Sequence, residues 1–214
     1  MAKDLKRRLE QLKGYRVLLT RSTDTYVALK KRTEFANKHH ADLFISIHVN
    51  SLPQKNRAVA ETFYFGPTTN HATLQLVKEE NSGSDYTVGD FHKMIEKIGN
   101  TFKTQESRTL ASLIEKNLYR NIKRHNNPQM VNAGIHTAPF VVLLGTNMPS
   151  VLAEISCISN PKEEHRLATA SYRNAIAKYL EKGIVAYLRR REPELEPIRG
   201  AHQYAGEKKA VHTG

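Results

Sequence analysis

Several things are scarce in these 214 residues, and each scarcity excludes something. There is one cysteine, Cys157, so no intramolecular disulfide can form; three residues after Glu154 on an extended run, it points to the opposite side and reads as a buried, inert thiol. No stretch approaches the ~20 uninterrupted apolar residues that a membrane-spanning helix needs. The opening Met-Ala-Lys-Asp-Leu-Lys-Arg-Arg is charged and has no apolar segment of a leader type. Tryptophan is absent and aromatics make up 7%, too few to interleave with basic residues as nucleic-acid binders do. Acidic residues are outnumbered, 21 against 33 Lys and Arg, for a formal charge of +12. That charge favours polyanionic surroundings. Eleven of the basic residues lie in the first forty positions along a helical pattern, which reads as a solvated face. With no zinc knuckle or other recognisable motif, nucleic acid is not expected as a partner.

What is present is the patterning of one α/β domain. An apolar fraction of 39% is enough for a sizeable core at this length. Helices are predicted over 4–13, 29–40, 72–80, 91–98, 108–125 (with Ser107 as N-cap) and 170–191, from apolar residues at helical spacing. Strands are predicted over 15–20, 41–50, 61–65, 140–144 and 151–155. Their alternation predicts a mostly parallel sheet flanked by helices. The link 145–150 is too short for a parallel crossover, so 140–144 and 151–155 are predicted as an antiparallel pair near the C-terminal end. Residues 1–191 form the predicted domain, with an insert at 66–106 and a polar, disordered tail from 192 to 214.

Two polar residues interrupt apolar strands at their carboxyl ends, where parallel α/β sheets build sites. These are His48 in I-S-I-H and Glu154 in V-L-A-E-I. Imidazole suits a metal such as zinc, and a carboxylate can take a proton from an attacking water. His39 and His40 precede the strand that His48 ends; eight extended residues put His40 about 26 Å away. They read as solvated helix-end residues. His136, at the start of the predicted antiparallel pair, is expected near Glu154 as a substrate contact.

Three strings carry a resemblance: L-L-T-R-x-x-D (18–24), R-x-x-x-A-N-x-x-x-A-D-L-F-I-S-I-H-x-N (32–50) and P-S-V-L-A-E-I-x-x-I-S-N (149–160). Together with S-R-x-L-A-S-L-I (107–114) and Y-R-N-A-I-A-K-Y-L-E-K-G-I (172–184), they resemble the zinc-dependent N-acetylmuramoyl-L-alanine amidases with the type 3 catalytic domain. The resemblance implies a peptidoglycan hydrolase working outside the cytoplasm, in periplasm or cell wall. It would cleave the amide between N-acetylmuramic acid and L-alanine of the stem peptide. His48 would be a zinc ligand and Glu154 the general base. The family's D-P-G-H-G-G loop and following Glu, which bring two further ligands, have no counterpart in this sequence. The resemblance therefore implies an N-terminally truncated domain with an incomplete zinc set. The alternative it leaves open is a non-catalytic wall-binding or regulatory module with the same fold. L-V-K-E-E-N-S (76–82) resembles relatives in which a helix covers the zinc until a partner displaces it. Glu79, Glu80 or Glu96 would then approach the metal position, and an activator protein would act on the insert.

Overall fold

The computed structural model describes residues 1–84 and 102–195, with no side chains beyond 191. Its elements in chain order are α1 (Ala2–Glu10), α2 (Leu29–Lys38), β1 (Phe44–Asn50), β2 (Val59–Phe65) and α3 (His71–Glu80). There follow α4 (Phe102–His125), β3 (Val131–Ala138), α5 (Val141–Leu144), β4 (Ser150–Cys157), α6 (Pro161–Ala168) and α7 (Ala170–Leu195).

The four strands form one sheet in the order β1-β4-β2-β3. β1 and β4 are parallel, β2 and β3 are parallel, and the central β4–β2 pair is antiparallel. β4 is buried at every position, as a central strand covered on both faces must be, and its sequence is a near-continuous apolar run.

Strand alternation splits the core in two. Val151, Ala153, Ile155 and Ala60 face the stripes of α4 (Leu110, Ile114, Leu118, Ile122) and α7 (Ile176, Leu180, Ile184, Tyr187), with Leu5 and Leu9 of α1 joining. Those stripes repeat at helical spacing, so each helix buries one face against the sheet. Where α4 and α7 cross, a Cβ on Gly183 would sit 2.7 Å from Ile114 Cα, so only glycine permits the approach. The other face carries Phe44, Phe63, Phe65 and Leu152 against α2, α3 and α5 through Ala36, Leu76, Val77, Phe140 and Leu143. Phe63 and Phe140 meet edge to face at 5.2 Å.

The α/β class and the mixed sheet agree with the sequence reading, but the antiparallel pair is a different one. Residues 141–144 are a helical turn, because an apolar run of four or five residues does not distinguish helix from strand. The partner of β4 is β2. Residues 15–20 form no strand: the backbone N–H of Val17 donates to Glu10 Oε1 (3.2 Å) and its carbonyl accepts from Lys6 Nζ (2.5 Å). At Val17, side chains of α1 thus take the two backbone groups that a ladder would otherwise pair. Ser107 is not a cap, since α4 begins at Phe102; it is buried, and its Oγ accepts from the Ser150 N–H (3.0 Å). The sequence reading lacked β3, a part-buried run in which Asn132, Gly134 and His136 alternate with Val131, Ala133 and Ile135, and α6, signalled by Asn160 and Pro161 at its start. α7 runs to Leu195, and 196–214 lie outside the described residues, as does the helix predicted over 91–98.

One buried acid sits in the α4 side of the core. Glu115 is 3% exposed; its Oε2 accepts from Thr62 Oγ1 at 2.9 Å, and Oε1 has no partner. Burial pushes its carboxyl up to about 7, against the Thr62 hydrogen bond and with help from the charge of Glu61. Below pH 4.5 the group is protonated in both folded and unfolded chains. Between pH 4.5 and about 7 the unfolded chain releases a proton that the folded chain keeps, so stability falls as pH rises, by on the order of 3 kcal/mol in all. Glu115→Gln is expected to flatten that decline in denaturant melts at pH 5 and pH 8; an equal decline in both proteins would refute it.

Candidate metal and catalytic site

Register assembles the site. His48 on β1 lies opposite Glu154 on β4, and Glu154 lies opposite Glu61 on β2. Directly opposed residues share a face. One polar row therefore crosses three strands on the face that also carries Phe44 and Leu152. The row sits at the carboxyl ends of β1 and β4, as expected for His48 and Glu154.

The fourth group comes from above. α3 is capped by Asn70, whose side chain accepts from the Thr73 N–H (3.0 Å), and it docks through Leu76 and Val77. At its C-terminal end Glu80 places Oε2 2.7 Å from His48 Nδ1. Asn81 fixes that end: its Nδ2 donates to the Pro139 carbonyl (3.0 Å) and its Oδ1 accepts from the Val141 N–H (2.9 Å). His48, Glu80 and Glu154 offer ligand atoms that all lie within 4.8 Å of one another, the only such group of three among the described residues. Of the three acids considered in the insert, Glu80 reaches the site. Glu79 is exposed and accepts from Gln75 Nε2 at 2.9 Å, while Glu96 lies outside the described residues.

Glu154 is the anomaly. It is 0% exposed, and neither carboxylate oxygen has a hydrogen-bond partner. Burial, then the charges of Glu80 and Glu61, hold its carboxyl well above the usual range. A fully buried carboxylate without donors is strongly unfavourable unless a cation or a proton completes it. The imidazole of His48 and the carboxylate of Glu80 are donors that zinc accepts, with the Glu154 carboxylate beside them. The residues present therefore fit a divalent metal of that kind.

Glu61 and Asn50 were not singled out in the sequence. Their signal was a charged residue opening the apolar strand E-T-F-Y-F and the Asn two residues beyond His48. Asn50 is 1% exposed and its Nδ2 donates to Glu61 Oε1 at 2.5 Å, reaching across β4. Burial raises the Glu61 carboxyl, opposed by His136, the Asn50 hydrogen bond and Arg57.

His136 is not brought near Glu154 by the predicted hairpin, which does not exist. The parallel β2–β3 pair places it opposite Phe63, with Nε2 4.0 Å from Glu61 Oε2 and 2.8 Å from the Ala133 carbonyl. It stands outside the three-residue group, at the β3 end of the row. Cys157 is buried, its Sγ 3.1 Å from Ser159 Oγ. His39 and His40 are exposed at the end of α2.

The sequence and the fold both match known proteins. A family model described as N-acetylmuramoyl-L-alanine amidase matches residues 1–186. The N-acetylmuramoyl-L-alanine amidase AmiA of Escherichia coli is 33% identical over 183 residues, 81% of this chain and 61% of that protein. The chain thus spans about three-fifths of that relative's length. The crystal structure of an N-acetylmuramoyl-L-alanine amidase from Clostridium difficile superposes with a TM-score of 0.64 at 25% identity, covering 87% of this chain and 79% of the other. The CwlD amidase of Clostridioides difficile, solved in complex with the GerS lipoprotein, gives 0.60 at 26% identity over 87% and 82%.

Proposed function

This chain belongs to the N-acetylmuramoyl-L-alanine amidase family, and on that premise we propose that it hydrolyses the amide joining N-acetylmuramic acid to L-alanine of the peptidoglycan stem peptide. The observation that carries the reading is Glu154: fully buried, without a hydrogen-bond donor, and in register with His48 at the carboxyl ends of two parallel strands.

His48 supplies a ligand for zinc, and Glu80 occupies a second position at it while α3 is seated. Zinc bound there supplies Lewis acidity toward an amide carbonyl and lowers the pKa of a water. Glu154 takes the proton of the attacking water and returns it to the nitrogen of L-alanine as that bond breaks, leaving a lactyl carboxylate and a free peptide amine. The raised proton affinity of Glu154 suits a group that must take a proton from water and then pass it to the leaving nitrogen. His136, at the open end of the row, contacts substrate. The two further ligands that the family draws from a D-P-G-H-G-G segment are not among these 214 residues.

α3 is a lid. It belongs to the 66–106 insert, and Glu80 fills the space that a substrate carbonyl must enter. An activator protein that lifts α3 is the partner this arrangement calls for. Peptidoglycan as substrate places the working protein in the periplasm or cell wall; among the described residues no helix is long and apolar enough to cross a membrane.

Mass spectrometry of muropeptides incubated with zinc and with protein carrying Glu80→Ala and a His- and Glu-bearing D-P-G-H-G-G-type segment joined ahead of Met1 tests the reaction, which must release stem peptide with a free L-alanine amine. Intact muropeptides, or cleavage at another bond, would refute it. Zinc titration tests the metal role separately. His48→Ala is expected to weaken zinc binding tenfold or more while the melting temperature without metal stays within about 2–4 °C. Equal zinc affinity in both proteins would remove His48 from the ligand set.

A further inference from the structure

The polar row does not stop at Glu154. Beyond it lie Glu61 on β2 and then Gly134 on β3, opposite Glu61 in the parallel ladder. On the other side of Glu154 there is only β1, the sheet edge among the described strands. The longer shelf for a chain-like ligand is therefore on the β2–β3 side. Gly134 (φ +89°) leaves it open: a Cβ there would meet nothing within 4 Å.

Glu61 is prepared as an acceptor at the head of that shelf. Its side chain is 14% exposed, and Oε1 is taken by Asn50. Oε2 makes no hydrogen bond among the described residues and lies 4.0 Å from His136 Nε2, which is engaged with the Ala133 carbonyl. Part-exposed, held in place and one strand over from Glu154, this carboxylate oxygen is open to an N–H from a bound ligand. Asn50 is itself buried, with Oδ1 unpartnered, so its amide serves to hold Glu61. The bulge in β4 between Glu154 and Cys157 sets the Asn50 register that makes this reach possible.

We propose that Glu61 binds the substrate through the N–H of the L-alanine amide, that Asn50 positions its carboxylate, and that the stem peptide runs over Gly134 past His136. This rests on the amidase reading above and adds the residue that distinguishes an amide from an ester at the same place. A site built to accept an N–H rejects the analogue that lacks it.

The test uses the full chain carrying Glu80→Ala, so that α3 does not compete, with two probes. One is a muramyl dipeptide; the other is its depsipeptide analogue, in which the L-alanine N–H is replaced by oxygen. Calorimetry is expected to show the amide bound about tenfold to a hundredfold more tightly than the ester. In Glu61→Gln, Asn50 still pairs with Oε1 and an NH₂ donor faces the ligand N–H. The amide is then expected to lose that tenfold to hundredfold advantage while ester binding changes less than threefold. Asn50→Ala is expected to lose part of it. Glu34→Gln, exposed on α2, is the control and is expected to leave both affinities unchanged. A full amide preference retained in Glu61→Gln overturns the proposal and leaves the amidase reading standing. No binding of either probe by the parent chain overturns both. Equal weakening of amide and ester in Glu61→Gln shows a structural role only and overturns it as well.

Discussion

Glutamine in place of Glu154 is expected to lower stem-peptide release by about a hundredfold to ten-thousandfold while zinc remains bound. The assay is muropeptide hydrolysis by protein with a complete ligand set, obtained by joining a His- and Glu-bearing D-P-G-H-G-G-type segment ahead of Met1. The substitution keeps shape and removes the ability to take a proton. Glu154 is fully buried with two unpartnered oxygens, so the loss comes from chemistry rather than from broken contacts. Folding is expected to be no worse, because a neutral amide relieves the desolvation of a carboxylate held beside Glu80 and Glu61. A variant that loses zinc in proportion to activity would make Glu154 a ligand and leave the base unassigned.

His48 and Glu154 were legible because each is a polar residue at the end of an otherwise apolar strand, and strand ends in parallel pairs are where sites form. Nothing in the sequence fixes register, which comes from pairing among strands far apart in the chain. Glu61 is 93 residues before Glu154, and only the antiparallel β2–β4 ladder sets them side by side. The hairpin failed on its elements: 140–144 is not a strand, and 131–138, to which the sequence reading gave no element, is one. Buried Val141, Val142 and Leu143 form a turn of helix, and Val131–Ala138, mostly part-buried and carrying Asn132, Gly134 and His136, forms the edge strand. Edge strands carry polar residues and glycine and so look like loops. Glu80 was one of three acids that the insert offered. The side-chain clamp of Asn81 on residues 139–141 decides which of them faces His48.

Glu80→Ala is expected to raise wall-digesting activity and reduce its dependence on any activator. In the seated state α3 blocks the group it touches: Glu80 Oε2 is 2.7 Å from His48 Nδ1, and Glu154 has no exposed surface. Substrate binds only the fraction of molecules with α3 lifted, so the apparent affinity falls by that fraction. Each ~1.4 kcal/mol by which the seated state is favoured hides about nine-tenths of the sites. Three contacts set that preference: the His48–Glu80 pair, the docking of Leu76 and Val77, and the two Asn81 hydrogen bonds. Removing the carboxylate also removes one of the charges that raise the proton affinity of Glu154, so the base ionises more readily. Asn81→Ala leaves every site residue in place, yet it is expected to act in the same direction, by about fivefold to tenfold for two part-buried hydrogen bonds. Hydrogen exchange over residues 71–80 measures the lifting directly and should accelerate in both variants. Faster exchange with unchanged wall digestion would show that α3 moves without gating. A fall in digestion with a matching loss of zinc would make Glu80 a working ligand rather than a lid.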